Sequence, residues 1–284
     1  INHSNSEVSM KSLKIINGLL KSNTPHKNVV EAIISCIPQV TNTKDDDIIK
    51  EILVILAYSL KSKVTLNKIQ SNTDIIECFK AFLSSNNSEI VINALKLCFS
   101  FVYNSIPKFI DLSDSYFALL ANDNKPEIPI LAASCLTLVY QKRPFNLDDK
   151  ENNQLVENFL KKELAKNTIN IQIMNLCGVI STSLDGAILL DNIEIISLIL
   201  NLIDNKNIDD PQVSKTATMI LASLSALNPL CNHISESFPI IFKMLKLNQN
   251  SPYPIIFIAN MASTTTGALE CAKNISDIIK NAEL

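Results

Sequence analysis

The chain has 284 residues, 47% of them hydrophobic and 19% charged, with a formal net charge of −3. It is too apolar for a disordered chain and long enough to bury a large core. Its cations are nearly all lysine, Arg143 being the single arginine, and without a basic excess or the guanidinium forks that grip phosphates and base edges, nucleic acid is excluded as the expected partner.

Seven cysteines (36, 78, 98, 135, 177, 231 and 271) are scattered over apolar runs with no Cys-x-x-Cys pair. That is the pattern of reduced, buried thiols and points to the cytosol or the nucleus. The N-terminal "INHSNSEVSMKSLK" has no charged-then-apolar leader and reads as the cut end of a longer protein.

In chain order, apolar residues recur at intervals of three and four, as in Ile48, Ile49, Ile52, Leu53, Leu56 and Leu60, which is the period of a helix and not of a strand. Breaks near residues 23, 44, 72, 86, 106, 124, 147, 167, 186, 209, 229, 250 and 267 divide the sequence into fourteen principal helices in seven pairs. Entry signals mark several starts. Thr24-Pro25, Asp210-Pro211 and Ser251-Pro252 place proline at the first helical position, and Asn86-x-x-Glu89 and Asn124-x-x-Glu127 resemble capping boxes. Three acidic clusters, Asp45-Asp46-Asp47, Asp148-Asp149 with Glu151, and Asp209-Asp210, precede or begin helical runs, where negative charge complements the helix dipole. The polar stretch from Gln141 to Gln154 is expected as a surface loop. The uncharged stretch from Ser251 to Leu269 contains Pro252, Pro254 and Asn260, so it reads as a helix pair and not as a membrane span.

One small or polar position recurs along these runs: Asn17, Ala57, Ser100, Thr137, Gly178, Ser223 and Asn260, at spacings of 40, 43, 37, 41, 45 and 37. The residues two before it (Ile15, Ile55, Cys98, Cys135, Leu176, Leu221, Ile258) and one before it (Ile16, Leu56, Phe99, Leu136, Cys177, Ala222, Ala259) are all apolar. A period of about 40 residues in helical segments predicts an all-α fold, a right-handed superhelical solenoid of about seven repeats running through residues 1–284 as a single domain.

This recurring helix resembles the armadillo repeat and its relative the HEAT repeat. The resemblance implies a concave groove lined by the third helix of each repeat, in which an Asn ladder pins the backbone of an extended peptide and a Trp one turn earlier packs its side chains. Here only Asn17 and Asn260 keep the Asn; the positions four earlier hold Leu13, Leu53, Lys96, Ala133, Met174, Met219 and Ile256, and the chain has no Trp. That departs from the import-adaptor pattern. One turn after the ladder, Lys21, Lys61, Asn104, Gln141, Thr182 and Thr264 are hydrophilic and Leu227 is not. The candidate protein-binding groove is therefore Asn17, Lys21, Lys61, Ser100, Tyr103, Asn104, Thr137, Tyr140, Gln141 and Asn260, with Ser223 offering a further hydroxyl and the two tyrosines large amphipathic surface.

A reaction centre is not legible. His3, His26 and His233 are isolated, no Cys/His cluster has metal-ligand spacing, and the four glycines stand apart, so no catalytic residue, metal or cofactor is expected. Lys161, Lys162 and Lys166 form a small basic stripe that could meet an acidic partner. The expected function is a non-enzymatic scaffold or adaptor binding a protein segment. Two alternatives stand beside it: a regulatory or chaperone region of the formin, GTPase exchange factor or myosin-chaperone type that recognises a folded domain, and a helical accessory region of a larger enzyme.

Overall fold

The computed structural model describes residues 6–22, 34, 45–60, 63–72, 74–122, 124–166, 170–199, 211–227, 234, 237–239, 241–242 and 251–282. They are helices and connecting turns, in two compact units, Ile1–Val139 and Tyr140–Leu284. The expectations placed on Thr24-Pro25, on Asp209-Asp210, on Cys36 and Cys231 and on the three histidines lie outside the described residues.

The first unit contains α1 (Ser6–Ser22), α2 (Asp46–Ser59), α3 (Lys63–Ser71), α4 (Asp74–Leu83), α5 (Ser88–Tyr103), α6 (Pro107–Ile110), α7 (Ser113–Leu120) and most of α8 (Glu127–Lys142). The long helices stack in series, α1 on α2 and α2 on α5, and the shorter α4 and α6 lie against α5. An aromatic cluster fills the space behind α5. Phe79 meets Phe82, Phe101 and Phe109 edge-on at 5.6, 5.6 and 5.1 Å between ring centroids. Edge-to-face contacts add to the area those rings bury. Tyr116 is fully buried beside them and donates its hydroxyl to the Phe109 carbonyl at 2.9 Å, which satisfies a group that would otherwise be costly to bury.

The second unit contains α9 (Lys150–Leu164), α10 (Ile171–Ile180), α11 (Leu184–Asn192), α12 (Pro211–Ser225), α13 (Tyr253–Met261), α14 (Thr265–Lys273) and α15 (Ile275–Ala282). Here α10 stacks on α12 and α12 on α13. A Cβ added at Gly178 would overlap the Met219 side-chain methyl, so the glycine leaves the space that Met219 of α12 occupies.

The predicted period is present. Helices that carry the recurring position start at residues 6, 46, 88, 127, 171, 211 and 253. The residue two before it is buried in six of them and exposed in α1, where Ile15 is 66% exposed. Ile15 lies about 200° around the helix from Asn17, and Asn17 is the residue that faces α2.

The expected pairs are a simplification. Two short helices, α3 and α4, separate α2 from α5, and α6 and α7 separate α5 from α8, whereas α9 is one unbroken helix. Tight corners make this division. Ser105, at φ 59°, donates to the Val102 carbonyl at 2.9 Å, and Ile106 donates to Phe101 at 3.1 Å. This is a Schellman C-cap built on serine where glycine is usual. Glu194, at φ 55°, turns the chain after α11 in the same left-handed conformation.

Caps agree with the sequence in kind and differ by one or two residues in place. Asp45 accepts from the amides of Asp47 and Ile48 at 3.2 and 3.3 Å, and Asp149 from that of Asn152 at 3.3 Å, as the acidic clusters led one to expect. The cap of α5 is Asn87, which accepts from Glu89 at 3.0 Å, so Asn86 is not the cap. Helix α8 starts at Glu127, which leaves Asn124 two residues outside the cap position. Pro211 opens α12, but Pro252 is the N-cap of α13 and not its first residue. The loop expected over 141–154 shrinks to residues 143–149, because α8 runs to Lys142 and α9 begins at Lys150.

Two breaks are corrected. Gly186 and Gly267 do not end helices; each is the third residue of one, and the breaks fall at 181–183 and 262–264. The two sites share one design. Ser183 and Thr264 accept from the glycine amides at 3.1 and 3.0 Å, and a Cβ on either glycine would collide with the backbone carbonyl of Ile180 or Met261. Glycine is there because the first turn of the new helix passes directly over the last turn of the old one.

Candidate functional site

A mostly apolar opening lies between α2 and α5. It has a volume of about 320 Å³. Leu53, Val54, Ala57, Leu60 and Leu97 give it apolar walls, and Tyr58, Asn93, Lys96 and Ser100 supply its polar groups. Both recurring positions of these helices, Ala57 and Ser100, open onto it, together with the residues four before them, Leu53 and Lys96. The opening exists because the recurring residue on α2 is as small as alanine, so the two helices meet with nothing filling the seam above them.

Ionic and amide contacts tie neighbouring long helices. Lys50 on α2 reaches Glu89 on α5 at 3.0 Å, the Asn87 amide donates to Asp46 at 2.8 Å, and Lys96 on α5 reaches Glu127 on α8 at 3.0 Å. The Glu89 hydrogen bond, with the charges of Glu89 and Asp47, outweighs partial desolvation and holds the Lys50 ammonium above its ordinary pKa. These pairs are solvated and screened, so each adds little to stability. Their effect is to fix register.

The ten residues singled out from sequence separate into distinct environments. Ser100 lines the groove, but its hydroxyl donates to Lys96 O in its own helix at 3.1 Å. Tyr103 stands 71% exposed just beyond, beside Phe99 at 37%. Asn104 is exposed, and its amide closes the helix end on Ser100 O at 2.7 Å. Thr137 is buried and bonds back to Ala133 O at 2.9 Å, so its hydroxyl is not presented to a ligand. Tyr140 is half-buried, with its ring 5.3 Å from Phe145; burial, reinforced by Asp149, raises its phenol pKa. Gln141 is exposed.

The two ladder asparagines face neighbouring helices. Asn17 is buried, donating to Glu51 on α2 at 2.6 Å, and its Oδ1 is buried without a partner. Asn260 gives its amide to Ala222 O at 3.2 Å and Ser225 Oγ at 3.1 Å on α12. Both therefore brace stacked helices, and their amide donors are occupied. The side chain of Lys21 and the whole of Lys61 lie outside the described residues.

Sequence reasoning passed over Tyr58 and Asn93, and it named Lys96 and Phe99 beside the recurring position without counting them in the groove. Their signal was available: Asn93, Lys96 and Ser100 follow one another at helical spacing along one stripe of α5. The basic stripe on α9 is internally neutralised, since Lys161 pairs with Glu157 at 2.8 Å and Lys166 with Glu163 at 2.5 Å. Among the described residues no helix is long and apolar enough to cross a membrane, and no group of three metal-ligating side chains gathers.

No protein-family model matches the chain, and no curated protein matches its sequence. Solved structures do resemble it. A chain from the structure of a phosphorylation switch controlling the interaction between cadherin and beta-catenin superposes with a TM-score of 0.68 at 10% identity, over 96% of this chain and 53% of that one. The present chain thus spans about half the length of that neighbour. A designed armadillo repeat protein in complex with the peptide (KR)4 gives a TM-score of 0.57 at 14% identity, over 78% of this chain and 95% of the design. Yeast importin-beta gives 0.63 at 14% identity, over 99% of this chain and 36% of importin-beta. At these identities the similarity shows the fold: the chain is an armadillo/HEAT-type α-solenoid.

Proposed function

We propose that this armadillo/HEAT-type solenoid is a non-enzymatic scaffold or adaptor that binds a protein segment in the groove between α2 and α5. The observation that carries the reading is the open, mostly apolar cavity at the recurring positions Ala57 and Ser100. Ligand sites combine apolar walls with a few convergent polar groups, and this groove does so. Structural neighbours that include a designed armadillo protein holding a peptide support the same use of the fold. Buried free thiols at Cys78, Cys98, Cys135 and Cys177 support a reducing compartment, cytosol or nucleus.

A second reading, recognition of a folded domain, is favoured by apolar side chains exposed in the second unit. Leu184 and Ile188 are 52% and 39% exposed one turn apart on α11. The two readings part in one experiment: affinity purification with the native chain, Ala57→Gln and Leu184→Ser, after circular dichroism shows both variants folded. The groove reading expects a recovered protein that is lost with Ala57→Gln and retained with Leu184→Ser. The opposite pattern would transfer the function to α11.

A further inference from the structure

Whether a groove accepts an extended segment or a helix depends on how many backbone hydrogen bonds it can supply. An extended chain advances about 3.3 Å per residue, so crossing the roughly 10 Å between neighbouring helix axes brings about three residues and six backbone polar groups with it. In this groove the polar side chains that would receive them are few, Tyr58, Asn93, Lys96 and Ser100 among five apolar wall residues. The Ser100 hydroxyl proton is used on Lys96 O, and one N–H of the Lys96 ammonium on Glu127. Ala57 has nothing to offer. Of the wall residues, Asn93 alone carries an amide donor and acceptor. An extended occupant would therefore set part of its backbone against leucine and valine, where the groove offers no partner.

A helix brings its backbone hydrogen bonds with it and needs only apolar contact. The cavity of about 320 Å³ is roughly twice the apolar cavity of about 150 Å³ that holds benzene, which is room for two side chains one helical turn apart. The half-exposed ring of Phe99 and the exposed Tyr103 extend the apolar surface along α5 beyond the cavity. Charge gives the direction. Asp46, Asp47 and Glu89 stand at the end nearer the N-termini of α2 and α5 against Lys50, so three carboxylates face one ammonium group there.

We propose that the groove between α2 and α5 receives an amphipathic helix from a protein partner, with two apolar anchors one turn apart and lysine or arginine at the end that lies over Asp46, Asp47 and Glu89. The proposal rests on the groove reading and names its occupant. The side chains that define the docking surface are Ala57, Leu60, Asn93, Lys96 and Tyr103.

The test is a pair of display selections on the immobilised 284-residue chain. One library randomises the exposed face of a stable single-helix miniprotein; the other randomises a linear segment of equal length with proline at every third position, which holds it extended. Enriched binders are then measured against the native chain, Ala57→Gln and Leu184→Ser. We expect helical binders with paired apolar residues and a basic end, weakened at least tenfold by Ala57→Gln and severalfold by raising sodium chloride from 50 to 500 mM, and unaffected by Leu184→Ser. Binders from the extended library alone, still lost with Ala57→Gln, would overturn the helical occupant and leave the groove reading standing. Binders indifferent to Ala57→Gln, or none from either library, would overturn both.

Discussion

Three glycines sit inside helices under opposite constraints, and replacing each by alanine separates the constraints cleanly. Gly18 lies in α1, where a methyl group in place of its hydrogen would find nothing among the described residues within 4 Å. Alanine there removes backbone freedom from the unfolded chain and should stabilise by roughly 0.5–1 kcal/mol. At Gly186 the same methyl would collide with the Ile180 carbonyl and lie 2.7 Å from Ile180 Cγ2. At Gly267 it would meet the Met261 carbonyl and lie 2.7 Å from Thr264 Oγ1. The obstacle in both cases is backbone, which cannot rotate aside, so the helix start must shift. Overpacking of this kind costs about 1–3 kcal/mol, and a shift of the first turn also stretches the serine or threonine cap, which contributes about 1 kcal/mol. Set against the gain in helix propensity, the net is a loss of roughly 1–3 kcal/mol at each site. Urea unfolding followed by circular dichroism measures it as the midpoint shift at constant slope. Midpoints that rise for Gly186→Ala or Gly267→Ala as they do for Gly18→Ala would refute the close-approach account of both corners.

Ser105→Gly should stabilise by about 1 kcal/mol, since it relieves an L-residue at φ 59°; a lower melting temperature would contradict this. Phe79→Ala removes the centre of the aromatic cluster and should cost about 3–5 kcal/mol, read from the same urea titration, with a loss under about 1 kcal/mol contradicting the packing described. Alkali should destabilise the fold. Burial holds the Cys98 and Cys177 thiols up at about 12 against an ordinary 9.0, so above pH 9 the unfolded chain releases protons that the folded chain keeps, and stability falls as pH rises from about 9 to about 12, by up to about 1.4 kcal/mol per pH unit for each thiol. Cys98→Ala should flatten that slope, and native Cys98 and Cys135 should label slowly with thiol reagents at pH 8.

The repeat was legible because stacking imposes the same demand at every turn of the solenoid: an apolar pair beside a small residue, as at Ile55-Leu56-Ala57 and Cys135-Leu136-Thr137. Capping chemistry was legible to within one or two residues, because neighbouring polar residues such as Asn86 and Asn87 are equal candidates until the backbone chooses one. The breaks expected near 186 and 267 were three to five residues late. Gly186 and Gly267 lie in the first turn of the next helix, where the last turn of the preceding one leaves no room for a Cβ. At the site, the ladder asparagines could be located by period, but nothing local shows that Asn17 would be spent on Glu51 or Asn260 on Ala222 and Ser225. Those bonds span 34 to 38 residues. The groove itself was hidden for a related reason. It is a property of two helices meeting over a missing side chain at Ala57, and the sequence records only the small residue.

Hydrogen exchange of the native chain with and without a recovered partner tests the central claim most directly. Docking between α2 and α5 should slow exchange in residues 53–60 and 93–103, and Ala57→Gln should abolish that protection while the helices remain intact. Protection confined to 184–188, with 53–60 and 93–103 unchanged, would contradict the assignment of the groove as the working surface.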